Sequence, residues 1–369
     1  MPSSKFELLL TCAPGLENTL ADEARVQRFN VQGTFTGSVI LHGNWPDVWR
    51  ANLALRGANS VLARIGSFPA SHLSELDKRA RKFEWGKWLL RDVPLKVSAS
   101  CRASRIYHSG AAQMRVENAL RDEFGATLSD EATLEVMVRI ERNICTLSID
   151  TSGTLLHKRG LKQAMAKAPI RETMAALLLR QCGYRGEEPV LDPMCGSGTF
   201  ILEAAEMAQA LLPGRIRNFA FEQLPSFSAE QWQQLKTQSP QETTQRFFGF
   251  DRDAGAIKAA TANAQRSGVQ DIAHFAQQSI AHLKRPEGPP GLVVCNPPYG
   301  ARIGDIKKLS SLYASFGRVM REGFSGWRVG LVTNEASLAK AAGLPFQQPL
   351  APILHGGIKI RLYQTSPLT

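Results

Sequence analysis

Apolar positions come in short alternating runs over the first 150 residues of this chain, then settle into a strand–helix rhythm from residue 186 onward. Early on, 6–10 reads as a strand. Leu16, Leu20, Ala24 and Val26 recur near helical spacing after a turn at Pro14-Gly15. Residues 37–42 read as a strand, and 45–55 as a helix opened by Asn44 with Pro46 early in it. The style repeats over 61–155. Strands are predicted at 61–65 and 94–100, helices at 73–82 and 110–124, and an antiparallel pair, 134–140 with 144–150, joined by Glu141-Arg142-Asn143. A helix over 169–181 is closed by Gly183. Strands at 190–191, 247–250, 273–276, 291–295 and 328–333 then alternate with helices at 199–212 and 254–267. That alternation predicts an α/β domain, a mainly parallel sheet with helices on both faces, behind a smaller α+β region. Residues 213–245, rich in Pro, Gln and Ser, interrupt the rhythm and read as an insertion.

Composition narrows the setting. A chain of 369 residues allows about two or three domains. No apolar run reaches the roughly 18 residues of a membrane helix, so no membrane span is expected. The six cysteines are scattered without a Cys-x-x-Cys pair. That argues against a metal site or a disulfide framework and predicts a reducing, cytoplasmic setting.

A net charge of +11 points to a polyanionic partner, nucleic acid being the commonest, with plain solubility as the alternative. Four of the excess charges fall on residues 1–160 and seven on the rest, so no single basic tail carries them. Arg102, Arg105, His108, Arg115 and Arg121 gather around the strand at 94–100 and the helix after it. Phosphate contact and a merely solvated loop both remain open for them.

Two strings carry the candidate chemistry. Asp192-Pro-Met-Cys-Gly-Ser-Gly-Thr199 lies where a first strand ends and a helix begins, the place where ligands gather in open α/β sheets. Gly196 and Gly198 let the backbone approach a ligand closely. Asp192 can accept from a cationic amine. The string has neither G-x-G-x-x-G spacing nor Gly-Lys-Ser/Thr, which disfavours dinucleotides and triphosphates. A tight strand–helix connection is the bland alternative. Asp251 closes the next strand, where a carboxylate can accept from both hydroxyls of a ribose; its competing role is N-cap of the helix at 254–267.

The second string is Asn296-Pro-Pro-Tyr-Gly300, behind the apolar strand at 291–295. Two prolines stiffen the backbone and supply no N–H. The Asn296 side-chain oxygen and the Pro297 carbonyl can grip the two hydrogens of a planar amine. The amine's delocalised lone pair is then aimed at a methyl donor. Tyr299 can stack on the base. Positioning supplies most of such catalysis, so no strong base is needed first.

These residues resemble the class I S-adenosylmethionine-dependent methyltransferases of the Asn-Pro-Pro-Tyr amino-methylating group. Residues 150–160 and 168–172 resemble the junction between a THUMP RNA-binding domain and its catalytic domain. The family that the whole chain resembles is the bacterial 23S rRNA guanine-N2 methyltransferases, with related tRNA enzymes. The resemblance implies a ferredoxin-like segment over 1–60, a THUMP domain over 61–160 and a Rossmann-like catalytic domain over 161–369. It implies Asp192, Met194, Cys195, Gly196 and Gly198 around the cofactor S-adenosylmethionine, and Asp251 on its ribose. Asn296, Pro297 and Tyr299 would hold the target amine, with Asn296 also bordering the cofactor, and Arg102, Arg105 and Arg115 would hold RNA. Residues 168–172 would border the cofactor's methionine end.

One departure stands out: Ser279 occupies the place where such enzymes commonly carry an Asp for the adenine amine. Adenine is therefore expected to rest partly on backbone and apolar contacts. Other readings are a tRNA guanine-N2 enzyme, a non-catalytic ribosome-assembly factor, and the same chemistry on protein glutamine or DNA adenine.

Overall fold

Leu8 and Leu10 are wholly buried on one face of β1 (Phe6–Thr11), as the period of two along a strand requires. The computed structural model describes residues 5–162, 170–237, 239–299 and 306–369. After β1 come α1 (Glu17–Val26), β2 (Val31–Phe35), β3 (Ser38–Gly43), α2 (Trp45–Ala54) and β4 (Ser60–Pro69). The order β2-β3-β1-β4, all antiparallel, is that of a ferredoxin-like βαββαβ unit. Asn44 opens α2 through a reciprocal pair of bonds. Its side chain accepts from the Asp47 N–H at 3.3 Å, and the Asp47 carboxylate accepts from the Asn44 N–H at 3.1 Å.

The same sheet continues through α3 (Leu73–Arg81), β5 (Leu95–Arg102), α4 (Ser109–Ala119), β6 (Leu134–Glu141) and β7 (Ile144–Asp150). Its full order is β2-β3-β1-β4-β7-β6-β5, with β5 and β6 parallel. The division drawn at residue 60 thus falls at the first residue of β4, inside one sheet. Arg142 and Asn143, with φ of 50° and 63°, turn the β6–β7 hairpin, as two left-handed residues do in tight hairpins.

The second unit holds His157–Ile216, Gln238–Thr369 and the short stretch Ala13–Leu20. It begins with α5 (Glu172–Gln181), β8 (Val190–Asp192) and α6 (Thr199–Ala208). The helix expected over 199–212 stops at Ala208. Ala210 turns left-handed at φ 53°, and the Leu211 N–H closes on the Glu206 carbonyl, ahead of Pro213. Arg217–Thr237, which carries α7 (Ala229–Lys236), returns to the first unit. This part of the insertion has its own reason to be ordered. Phe221 stacks on Trp49 at 6.3 Å and meets Trp232 edge-on at 5.0 Å.

The chain then runs through β9 (Phe247–Asp251), α8 (Ala254–Ser267), β10 (Ala273–Gln277), β11 (Leu292–Cys295), α9 (Ile306–Gly323), β12 (Arg328–Thr333), α10 (Ala336–Ala342), β13 (Ile353–His355) and β14 (Ile358–Gln364). The order is β10-β9-β8-β11-β12-β14-β13. β14 runs antiparallel to β12 and β13, and the other described pairings in this sheet are parallel. This is a Rossmann-like α/β sheet, and its strand order reverses between β8 and β11, which opens a crevice at their carboxyl ends. Tyr313, Phe316 and Met320 of α9 bury themselves with Val293, Cys295 and Leu331 behind that edge. The edge strand β2, the hairpin β13–β14 and helices α9 and α10 were not anticipated from the sequence.

Candidate active site

Four adjacent parallel strands deliver the predicted site residues to one edge. Asp192 ends β8 and Asp251 ends β9. Ser279 lies two residues past β10, and Asn296 directly follows β11. The gathering follows from register: β9 aligns Gly249 with Asp192, and β10 aligns Gln277 with Asp251.

The glycine-rich turn is tied to the neighbouring strand from two sides. The Gly196 N–H donates to Asp251 Oδ2 at 3.0 Å, and the Cys195 N–H to the Phe250 carbonyl at 2.8 Å. The other Asp251 oxygen accepts from the Asp253 N–H at 3.0 Å. Asp253, not Asp251, caps α8, accepting from Gly255 and Ala256. Asp251 is therefore not the N-cap of α8. Each of its carboxylate oxygens has a further acceptor site after these bonds.

Gly196 and Gly198 both have left-handed backbones, with φ of 53° and 87°. A Cβ on Gly198 would sit 3.0 Å from the Phe275 ring and 3.2 Å from Ala260. The room that Gly198 leaves is therefore filled by the protein itself. Phe275 also closes over Gly249, where a Cβ would lie 2.4 Å from its ring. Phe275, which no motif flagged, is the wedge that sets how the turn lies on β9 and β10. The Ser197 hydroxyl oxygen in the same turn is buried and has no hydrogen-bond partner among the described residues.

Asp192 is 2% exposed and accepts from the Met194 N–H at 3.0 Å. Burial pushes its carboxyl up to about 8; the Met194 bond opposes the shift, and the nearby charge of Asp251 adds to it. Met194 packs part-buried against the core cluster behind the sheet edge. Burial also holds the Cys195 and Cys295 thiols well above their ordinary range, so neither is a thiolate nucleophile at neutral pH.

Asn296 is half-buried, and its Oδ1 is buried without a hydrogen-bond partner among the described residues. An orphaned acceptor of this kind costs about 1–3 kcal/mol and is tolerated where a ligand supplies the donor. Pro297 is buried and Pro298 exposed. The Tyr313 hydroxyl, on α9, donates to the Pro298 carbonyl at 3.4 Å and braces the turn from behind. Tyr299 is half-buried, and burial raises its hydroxyl above the ordinary value. Gly300 lies outside the described residues. Ser279 is exposed, while the Gln278 N–H reaches back to the Asp251 carbonyl at 2.9 Å.

At the junction, Ala168 and Pro169 lie outside the described residues, and Glu172 opens α5. Its carboxylate stands 3.3 Å from Lys162 Nζ, which donates to Thr199 Oγ1 at 2.7 Å, at the first residue of α6. Nothing in the sequence pattern singled out Lys162 or Tyr313. Arg102, Arg105 and Arg115 are exposed in the other unit. Among the described residues no cluster of His, Cys, Asp or Glu could hold a metal ion, and no helix is long and apolar enough to cross a membrane.

The set of groups fits a nucleoside bearing an amino acid. A carboxylate with spare acceptor sites, a glycine-rich turn and a buried orphaned acceptor meet along one edge.

Comparison with known proteins agrees with this chemistry. Residues 159–349 match the model of the RMKL-like methyltransferase domain, and residues 7–62 that of the RlmL ferredoxin-like domain. A protein of Synechocystis sp., provisionally named an RNA methyltransferase, is 30% identical over 95% of this chain and 94% of its own length. The ribosomal RNA large subunit methyltransferase K/L of Vibrio campbellii is 30% identical over 90% of this chain, but over only 49% of its own length. This chain thus spans about half of that relative. The solved structure of SMU.472, a candidate methyltransferase complexed with S-adenosylhomocysteine, superposes with a TM-score of 0.90 at 26% identity and covers all of both chains.

Proposed function

The chain belongs to the RMKL-like methyltransferase family, and from that premise we propose that it transfers a methyl group from S-adenosylmethionine to the exocyclic N2 amine of a guanosine in RNA, 23S rRNA foremost. The observation that carries the reading is the buried Asn296 Oδ1, without a hydrogen-bond partner among the described residues, beside the rigid Pro297-Pro298 turn. It is an acceptor waiting for a donor at the end of β11.

The bound cofactor supplies an electrophilic methyl group on a sulfonium. Asp251 accepts from its ribose hydroxyls while holding the glycine turn through Gly196. Asp192 and Met194 border its methionine part. Asn296 Oδ1 and the Pro297 carbonyl accept the two hydrogens of the target amine and orient the nitrogen lone pair. Tyr299 stacks on the base, and Tyr313 holds the turn in place through Pro298. Positioning of this kind lowers the barrier without a strong base, which suits a site whose thiols stay protonated.

RNA as substrate is supported by the name of the Vibrio campbellii relative, by the +11 charge and by the exposed arginines around β5 and α4. In this reading residues 61–160 form a THUMP RNA-binding domain, and the protein acts in the cytoplasm. The test is to map N2-methylguanosine in rRNA and tRNA from cells with and without the gene. Loss of one N2-methylguanosine from 23S rRNA is expected. An unchanged guanosine pattern, with loss of a methyl group from DNA adenine or protein glutamine, would overturn the proposal.

A further inference from the structure

We propose that Tyr107 is a base-stacking platform for an unpaired nucleotide, so that the first unit engages single-stranded rather than fully paired RNA; this rests on the reading of the protein as an RNA methyltransferase. Tyr107 is 85% exposed, the most exposed large hydrophobic residue among the described residues. Isolated exposed aromatics are common and mean little by themselves. This one sits between two fixed points. Ile106, its neighbour, is 5% exposed and anchored in the core. His108 on its other side caps α4, its Nδ1 accepting from the Ala111 N–H at 3.0 Å. An extended chain alternates its faces, so the buried Ile106 turns Tyr107 outward.

The loop itself is clamped to the β6–β7 hairpin. The Arg105 N–H donates to Asn143 Oδ1 at 2.9 Å, and the Asn143 N–H to Ser104 Oγ at 3.0 Å. The Arg142 N–H reaches the Arg102 carbonyl at 3.3 Å. A ring on a rigid loop loses little conformational entropy when it binds, because only its two side-chain torsions remain to be fixed.

The charge on this loop and the hairpin it is clamped to suits a phosphate backbone. Arg102, Arg105, Arg139 and Arg142 are exposed along the loop and hairpin, with Glu141 alone among them. Glu141 is held below the usual carboxylate range first by its bond to Arg139, then by the charges of Arg139, Arg102 and Arg142, so it stays ionised and is already paired with Arg139. Arginines tracking a backbone beside an exposed aromatic face are the combination that binds single strands, whereas paired bases offer no free face to stack on.

The experiment is fluorescence anisotropy with two labelled RNAs of mixed sequence, one unstructured and one fully paired, at a single salt concentration. Wild type, Tyr107→Ala and Tyr107→Phe are compared as full chains, with thermal melting to verify folding. Tyr107→Ala should bind the unstructured RNA about 5- to 150-fold more weakly, the range of base–aromatic stacking, and the duplex within twofold of wild type. Tyr107→Phe should bind both like wild type. Equal losses on both RNAs, or no loss on the unstructured one, would overturn the proposal. Failure of the wild-type protein to bind any RNA would instead overturn the reading beneath it.

Discussion

The Asp251 carboxylate accepts a hydrogen bond from the Gly196 N–H at 3.0 Å, joining the end of β9 to the middle of the glycine-rich turn. One residue therefore shapes the glycine-rich turn and, in the proposed reading, also presents acceptors to the cofactor's ribose. Asp251→Ala should weaken S-adenosylhomocysteine binding by about 10- to 150-fold, since bonds to a charged group contribute about 1.5–3 kcal/mol. Titration calorimetry with S-adenosylhomocysteine and its 2′-deoxyribose analogue separates the two roles. Wild type should prefer the hydroxylated ligand, and the variant should lose that preference. A preference that survives would leave Asp251 with the turn alone.

Gly198 should tolerate no side chain. Gly198→Ala faces a left-handed φ of 87° and a Phe275 ring 3.0 Å from the new Cβ. A destabilisation of about 1–3 kcal/mol is expected in urea unfolding. Adding Phe275→Leu should recover the part due to contact and leave the part due to φ.

Two buried carboxyls give the stability a pH dependence with a definite sign. Burial raises Asp150 to about 6 and Asp192 to about 8. Both folded values lie above the unfolded ones, near 4. The folded state therefore holds protons that the unfolded state releases. Relative stability is greatest below about pH 4 and is lost as pH rises, through 6 for Asp150 and through 8 for Asp192. Between pH 6.5 and 9 the urea midpoint of the ligand-free protein should fall, and Asp192→Asn should flatten that fall. An unchanged slope in the variant would remove Asp192 as its cause.

The basic loop makes a prediction about salt. Arg102→Ala with Arg105→Ala should weaken RNA binding and lower the slope of log affinity against log salt by about 1.4–1.8, because two phosphates are no longer neutralised. The measurement is anisotropy across a salt series. An unaltered slope would remove these arginines from the footprint.

Periodicity carried most of the fold. β1, β3, α2, β6, β7, β9 and α8 were legible because burial on one face leaves its period in the sequence. β2 was not, because this edge strand has no fully buried residue and so no apolar alternation. The insertion was not, because its aromatics find partners such as Trp49, far away along the chain. In the site, the motif residues were legible as local strings. Phe275, Tyr313 and Lys162 were not: each acts on another residue's position through a contact that only the folded chain creates.

The central claim is that Asn296 Oδ1 grips the target amine. Its most direct test is single-turnover methylation of RNA by wild type and Asn296→Ala, with S-adenosylhomocysteine and RNA affinities measured on the same preparations. The account predicts a rate loss of about 100-fold or more, as when an oriented hydrogen-bonding group is removed from a reacting centre, with both affinities within a few fold of wild type. Undiminished turnover by Asn296→Ala would contradict it.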